Sequence, residues 1–214
     1  MRILLARHGE TTWNTEGRHQ GQSCDVPLSE GGRAQAQALA ARLQPEPIHR
    51  AVASPLLRAR QTAEIALGER KGILKLDDEF MEISHGEWEG RLASEIRASH
   101  PEAQKAWRES PHTARLPGGE SFQEVQERAW EAFTRATEGL REEETLLVMS
   151  HDGVNRALIC RILGLPLARV WSFRQAPTCL NLFEGPNPDQ LALLRLNDAS
   201  HLYPLFGEVV HRKL

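Results

Sequence analysis

A chain of 214 residues, 40% of them hydrophobic, can bury one sizeable core and need not be divided into independent domains. With a formal net charge of −3 and an isoelectric point near 6.3, the protein has no overall positive potential that would attract nucleic acid, so any anion site must be local. The three cysteines lie far apart without CxxC spacing, which favours neither a disulfide framework nor a zinc knuckle and fits a reducing cytosol.

No stretch of the sequence approaches the roughly 20 consecutive apolar residues of a membrane span. The best candidate is interrupted by Ser150, His151 and Asp152. We therefore expect a cytoplasmic protein with no membrane attachment, organised as one domain over residues 1–214. Whether it is a monomer or a homodimer is left open.

The first predicted element is a short buried strand that leads to two functional side chains. Ile3 to Ala6 form an apolar run, and Gly9 marks a turn directly after Arg7 and His8. Ligands of open α/β sheets bind beyond the carboxyl ends of the strands. Arg7 and His8 are therefore candidates for a binding or catalytic site.

A helix, a second strand and a second helix follow. Ser29 is the predicted N-cap of a helix whose small apolar residues recur at helical spacing until Pro45. Residues 51–53 form a short strand. Ser54 as N-cap and Pro55 at the first helical position then predict the start of the second helix.

That second helix carries Arg58 in or next to its first turn. A third strand over residues 73–76 leads into an acidic segment that contains Glu82. Residues 83–119 interrupt the alternation of strands and helices, because glycines and prolines there separate short helical segments. We interpret them as a helical insertion over the crevice that serves as lid and specificity region.

The remaining elements complete the alternation of strands and helices. Ser121 and Glu124 have the spacing of a capping box and predict a long helix. Residues 145–149 form the clearest buried strand after the first, and His151 and a further helix follow it. Two last strands, over residues 179–184 and 191–196, read as a hairpin at a sheet edge.

Chemically complementary residues therefore follow the ends of four different strands. They are Arg7 and His8, Arg58, Glu82, and His151. The two arginines offer planar forks suited to the oxygens of a phosphoryl group, and a helix N-terminus adds backbone donors. The sequence thus predicts an anion pocket.

The same residues supply each group that phosphoryl transfer requires. Neutral His8 can attack phosphorus to give a phosphohistidine, and nearby arginine charges disfavour its protonated form. Glu82 would protonate the leaving alkoxide and then act as base on water, and burial beside the substrate dianion would raise its pKa. Charged His151 would hold the phosphoryl oxygens with Arg7 and Arg58.

Each residue also has an ordinary structural interpretation. Arg58 could be a surface helix residue, Glu82 a solvated carboxylate and His151 a core-edge histidine. Their agreement in location is what favours the site. Four other histidines gain no such support and are predicted to be structural or on the surface: His85, His100, His112 and His201.

At residues 5–14 the sequence, LARHGETTWN, resembles the signature of the histidine phosphatase superfamily, in its phosphoglycerate-mutase-like branch. The resemblance continues through residues 17–21, 25–29, 54–63, 118–121 and 150–153 and covers nearly the whole chain. It implies an α/β fold with a mostly parallel sheet flanked by helices on both faces and the insertion over the site. It also implies a phosphohistidine intermediate, with no metal and no other cofactor.

The resemblance assigns the roles already described to the same five residues: Arg7, His8, Arg58, Glu82 and His151. It adds Asn14 and Gln20 as phosphate or substrate contacts, and the backbone amide of residue 152 as a further donor. Many relatives have glycine where this chain has Asp152. Because a carboxylate beside a dianion is unfavourable, we expect only the Asp152 amide to face the pocket.

Residues 82–90, the compact insertion and residues 197–202 resemble the phosphatases of the superfamily, such as the α-ribazole-phosphate and broad-specificity phosphatases, more than the mutases. We therefore expect a metal-independent phosphomonoester hydrolase whose partner is a small phosphorylated metabolite and not nucleic acid. The alternatives are a phosphoglycerate mutase with the same catalytic residues and a non-catalytic phospholigand-binding module. A metal hydrolase is a poorer alternative, because no metal-site spacing supports its candidate set of His8, Glu10, His85 and His151.

Overall fold

The computed structural model describes residues 1–202, which include a six-stranded sheet. In chain order the strands are β1 (Arg2–Arg7), β2 (Arg50–Ala53), β3 (Leu74–Leu76), β4 (Thr145–Ser150), β5 (Leu180–Glu184) and β6 (Ala192–Asp198). Across the sheet their order is β3-β2-β4-β1-β5-β6. The first four are parallel, and the β5–β6 hairpin is antiparallel beside β1. The predicted mostly parallel sheet is confirmed.

Helices cover both faces of this sheet. They are α1 (Thr12–Glu16), α2 (Glu30–Leu43), α3 (Leu57–Leu67), α4 (Ala93–Ser99), α5 (Pro101–Glu109), α6 (Phe122–Thr137) and α7 (Asp152–Ile162). Short 3₁₀ turns occupy Gly68–Ile73, Asp78–Phe80, Gly86–Trp88, Leu167–Ser172 and Pro188–Gln190. None of the helices within residues 1–202 has both the length and the apolar character needed to cross a membrane.

Alternate residues of the strands feed two separate hydrophobic cores. Leu4 and Ala6 of β1 pack in the core that contains residues of α2 and α3. Ile3 and Leu5 pack on the other face, with residues of α6 and α7. This division follows from the strand geometry, in which successive side chains point to opposite faces.

The strand register aligns the ends of the central strands. Arg7 of β1 lies opposite Ser150 of β4, and Ala53 of β2 lies opposite Met149. The pairing continues one step further, where the His8 amide donates to the Ser150 carbonyl at 3.0 Å. The residues that directly follow these strands therefore meet at one edge of the sheet.

The entrance to α3 differs from the sequence prediction. Ser54 is not its N-cap, because Leu56 is still extended (ψ 132°) and the helix begins at Leu57. The Asp25 carboxylate, from a distant loop, accepts a hydrogen bond from the Leu57 amide at 2.6 Å. Arg58 nevertheless lies in the first turn, as predicted.

The insertion packs into the core as well as lying over the sheet edge. Trp88 and Ile96 are fully buried in the core that contains α6 and α7. Trp107 of α5 stacks on Phe122 of α6 with ring centroids 4.7 Å apart. The function of the insertion as a lid stays a prediction, and so does the organisation of the chain as a single domain.

The N-terminal turn of α2 sets a tight constraint on the segment after β1. A Cβ atom on Gly32 would lie 2.0 Å from the Glu10 carbonyl oxygen, whereas a Cβ on neighbouring Gly31 would meet only side-chain atoms, Glu10 Oε1 at 3.2 Å and Ser29 Oγ at 3.7 Å. Overpacking against backbone cannot be relieved by a rotamer change.

We therefore expect Gly32→Ala to lower the free energy of unfolding by about 1–3 kcal/mol. The matched control, Gly31→Ala, should be neutral or stabilising by up to about 1 kcal/mol, because alanine is the better helix former. Urea denaturation of both variants measures the difference, and equal values would contradict the close approach of Gly32 to Glu10.

Candidate active site

Arg7 and His8 are buried at the end of β1. Arg7 donates through Nη1 to the Gln175 carbonyl, and its Nε has no hydrogen-bond partner among the described residues. His8 Nδ1 lies 2.6 Å from the Gly9 carbonyl oxygen. Because a carbonyl only accepts, Nδ1 carries the proton and Nε2 has the nucleophilic lone pair.

Arg58 is fully buried, on the first turn of α3. Its Nη2 donates to the Gly21 carbonyl at 2.9 Å, whereas Nε and Nη1 have no partner within residues 1–202. Burial lowers the pKa of Arg58 to about 10, although the Glu82 and Asp25 carboxylates oppose that change. The guanidinium is still charged at neutral pH, and its unpaired N–H groups are the type of donor that binds an anion.

His151 lies beside His8, with ring centroids 5.1 Å apart. Its Nε2 is 2.8 Å from Ser54 Oγ, which also accepts from the Leu56 amide, and we assign the hydroxyl hydrogen of Ser54 to the contact with Nε2. The proton of His151 is then on Nδ1, which has no partner in the described part of the chain.

The charge predicted for His151 is wrong for this pocket. Burial, followed by the positive charge of Arg58, lowers the pKa of His151 well below its usual value. The ring is therefore neutral, and it contributes one N–H donor in place of a full charge. The sequence could not reveal that this ring is completely buried.

Glu82 follows β3 after one 3₁₀ turn and is buried. Its Oε1 accepts from the Ile83 amide at 3.0 Å and from the Gly153 amide, in the first turn of α7, at 3.1 Å. Burial first and the Asp152 carboxylate second raise the pKa of Glu82, against the opposing effect of Arg58. A raised pKa agrees with the protonated carboxyl expected of a general acid.

The Asp152 side chain lies near Arg156 and Arg7, and the expectation that only its amide faces the pocket stays a prediction. Oδ2 accepts from Arg156 Nε at 2.9 Å, and Oδ1 lies 4.0 Å from Arg7 Nη1. Burial alone would raise the pKa of Asp152, but Arg156 and Arg7 outweigh it and the pKa is lowered. The carboxylate can stay ionised here because two guanidinium groups compensate its charge.

Asn14 and Gln20, the two predicted substrate contacts, are linked through Thr11. The Thr11 hydroxyl lies 3.1 Å from Asn14 Oδ1 and 2.9 Å from Gln20 Oε1. With both carbonyl oxygens turned to Thr11, the amide NH₂ groups are the ends that can donate to a ligand. The sequence analysis missed Thr11, although Thr11 and Asn14 have the spacing of a capping box and form one at the start of α1.

A second supporting segment lies beside the end of β1. Besides the Gln175 carbonyl on Arg7, the Thr178 amide donates to the His8 carbonyl at 3.2 Å. Thr178 has φ 53°, in the left-handed region that β-branched residues rarely adopt. Strained residues of this kind cluster at functional sites, but no local sequence pattern marks these two.

Glu89 joins the insertion to the loop that contacts Arg58. Its carboxylate accepts from the amides of Gln22 (3.1 Å), Ser23 (2.7 Å) and His85 (2.9 Å). The Gly21 carbonyl in that loop is the acceptor for Arg58. Glu89 was not predicted from the sequence as a site residue, because its loop partners Gln22 and Ser23 are distant in sequence.

His85, predicted to be structural or on the surface, is buried against this loop. Its Nδ1 is 2.5 Å from the Gln20 carbonyl oxygen, and burial lowers its pKa to about 4 although that hydrogen bond opposes the change. The structure does not gather His8, Glu10, His85 and His151 into a metal site: within residues 1–202, no group of three or more His, Cys, Asp and Glu side chains could hold a metal ion.

An open cleft of about 470 Å³ lies next to the Glu89 segment. It is lined by Gln22, Ser23, Met81, Ser84, Gly86, Glu89 and Gly118. The five predicted catalytic residues do not line it. The cleft is nevertheless bordered by the predicted lid, where we expect specificity to be determined.

Comparisons with known proteins show what this chain is similar to. A family model described as histidine phosphatase superfamily (branch 1) matches residues 3–199. Phosphoserine phosphatase 1 of Hydrogenobacter thermophilus is 35% identical over 212 residues, 97% of each chain. The adenosylcobalamin/alpha-ribazole phosphatase of Salmonella typhimurium is 35% identical over 86% of this chain and 92% of its own. The solved structure of Bacillus stearothermophilus YhfR, 35% identical, superposes with a TM-score of 0.86 over 94% of this chain and 98% of its own.

The contact between Glu82 and α7 gives a direct test of the site. A Cβ atom on Gly153 would lie 2.7 Å from Glu82 Oε1 and 3.0 Å from Ile83 Cγ2. We expect Gly153→Ala to displace the carboxyl and lower kcat/KM for phosphomonoester hydrolysis by about 10–100-fold. The melting temperature should change little, because alanine is a better helix former than glycine and this gain offsets the local crowding.

The matched control is Gly72→Ala, whose Cβ atom would enter open space. That variant should keep the kcat/KM of the wild type. Equal activity of the wild type and Gly153→Ala would contradict the placement of Glu82 in the site.

Proposed function

The chain belongs to the histidine phosphatase superfamily, and on that premise we propose that it hydrolyses phosphomonoesters of small metabolites through a phosphohistidine at His8. The Hydrogenobacter thermophilus and Salmonella typhimurium relatives are phosphatases, and the predicted phosphatase activity is thereby confirmed. The observation that carries the mechanism is the set of unpaired, buried N–H groups around His8, on Arg7, Arg58 and His151.

In the proposed complex the phosphoryl group lies between these donors. Arg7 and Arg58 supply most of the charge that a dianion requires, and neutral His151 donates from Nδ1. Desolvation makes these interactions stronger than they would be in water. The donors hold phosphorus close to His8 Nε2.

In the first step, His8 Nε2 attacks phosphorus and the bond from phosphorus to the ester oxygen breaks. Glu82 gives its proton to the leaving oxygen, so the products are the free alcohol, a phosphorylated His8 and a Glu82 carboxylate. The raised pKa of Glu82 supports this role, because the carboxyl must hold its proton until substrate binds.

In the second step, a water molecule attacks the phosphorus of phosphohistidine. The Glu82 carboxylate accepts a proton from that water while the bond from nitrogen to phosphorus breaks. Inorganic phosphate leaves, and both His8 and Glu82 return to their starting forms. The pocket donors stabilise the charge that moves across the phosphoryl oxygens in both steps.

We propose phosphoserine and α-ribazole phosphate as the first substrates to test, because the names of the two relatives specify them. Both are small alkyl phosphomonoesters, which need a proton on the leaving oxygen. A cytoplasmic location, the lack of a nucleic-acid partner and the choice between monomer and homodimer stay predictions from the sequence.

The test is a panel of phosphomonoesters assayed for released phosphate, with the wild type and His8→Ala side by side. Phosphoserine, α-ribazole phosphate and 3-phosphoglycerate belong in the panel. We expect His8→Ala to lose at least about 1,000-fold in kcat, because no other nucleophile replaces the imidazole. Its affinity for inorganic phosphate should stay within about tenfold of the wild type, since the arginines remain.

The same panel separates the alternatives. Label that appears on the other hydroxyl of phosphoglycerate, with little free phosphate, would identify a mutase. Tight binding without turnover of any ester would identify a binding module. Near-normal hydrolysis by His8→Ala would exclude His8 as the nucleophile.

A further inference from the structure

We propose that Asp152, which lies between Arg7 and Arg156 and directly precedes the amide that binds the Glu82 carboxyl, is a positioning residue that keeps Glu82 in its acid form. The inference rests on the proposed function, in which Glu82 protonates the leaving group. It assigns to Arg156 the task of setting how strongly the Asp152 charge acts.

The geometry places the two carboxyl groups at the same turn of the chain. Glu82 Oε1 accepts from the Gly153 amide at 3.1 Å, and Asp152 is the preceding residue and the first of α7. The contact is close enough that a Cβ atom on Gly153 would lie 2.7 Å from Glu82 Oε1. The acid therefore rests directly against the turn that carries the Asp152 charge.

Charged groups from several elements act on the Glu82 carboxyl. Arg58 of α3 favours its ionised form, whereas burial and Asp152 of α7 favour the acid form. Arg128 of α6 binds the Glu82 backbone carbonyl, at 3.2 Å, and not the carboxyl. The positive charge of Arg58 by itself would favour loss of the Glu82 proton to solvent, and Asp152 is the negative charge that opposes this effect.

The Asp152 carboxylate is itself placed by two positive groups. Arg156 of the same helix binds Oδ2 at 2.9 Å, and Arg7 of β1 lies 4.0 Å from Oδ1. Oδ1 accepts no hydrogen bond from the described residues. Its charge is thus only partly compensated and still acts on Glu82.

Arg156 is held firmly enough to serve as this partial counter-charge. Its Nη1 donates to the carbonyls of Val170 (2.7 Å) and Phe173. Its guanidinium lies 5.1 Å from the Trp171 ring centroid and 5.7 Å from that of Phe173. These contacts fix Arg156 independently of Asp152, so each partner can be changed separately.

This arrangement predicts opposite effects for two variants that break the same ion pair. Asp152→Asn removes the negative charge, so Glu82 loses its proton at a lower pH. Arg156→Gln removes one counter-charge while Arg7 still keeps Asp152 ionised, so the Asp152 charge acts more strongly on Glu82, which keeps its proton to a higher pH. A purely structural role of the ion pair would move both variants in the same direction.

The experiment is the pH profile of kcat/KM for the best alkyl phosphomonoester of the panel, measured with the full chain. Activity requires protonated Glu82, so kcat/KM falls as pH rises through the pKa of that group in the free enzyme. We expect the apparent pKa of this alkaline limb to be lower by about one unit in Asp152→Asn and to be higher in Arg156→Gln than in the wild type. The inhibition constant of inorganic phosphate should fall in Asp152→Asn and rise in Arg156→Gln, since the two variants change the local charge in opposite ways.

Asp152→Glu is the charge-restoring variant and should return the limb toward that of the wild type. It keeps the test decisive if Arg156→Gln does not fold, because Asp152→Asn and Asp152→Glu then form the comparison. Limbs that coincide in all variants, or that move together, would overturn the role of Asp152. If the wild type hydrolyses no ester at all, the proposed function fails first, and the two failures are therefore distinguishable.

Discussion

Two guanidinium groups, those of Arg7 and Arg58, are buried at the carboxyl edge of the sheet with N–H groups that the protein does not satisfy. Leaving such donors unpaired costs stability, and a site that binds an anion recovers that cost only when the ligand is present. Burial and the nearby positive charges also keep His151 neutral, because they disfavour its protonated form. A nucleophilic attack on phosphorus likewise requires a neutral His8.

The rest of the molecule keeps these charged groups in place. The Gln175 carbonyl holds Arg7 from the β5 side, and the Gly21 carbonyl, in the loop bound by Glu89, holds Arg58. The start of α7 supplies the amide for Glu82 and the compensating charge of Asp152. One sheet edge therefore combines strong positive charge with a carboxyl group whose pKa is raised, and hydrolysis of a phosphomonoester needs both.

Much of this site could be predicted because it depends on chain order and strand ends. Parallel strands bring Arg7, Arg58 and His151 to one edge whatever the details of packing, and the pattern alone identified them. The sequence could not reveal features set by tertiary contacts. Complete burial makes His151 neutral, and Ser54 binds that ring in place of capping α3. Gln22 and Ser23, the loop partners of Glu89, lie more than 60 residues away from it in the chain.

The central claim is a covalent bond from phosphorus to His8 during turnover. Its most direct test is rapid mixing with phosphorus-labelled substrate, quenching in alkaline denaturant, and mapping of the labelled peptide by mass spectrometry. The account predicts an acid-labile, alkali-stable phosphoryl group on the peptide that contains His8, formed within one turnover. Steady hydrolysis with no labelled protein, or with the label on another residue, would contradict it.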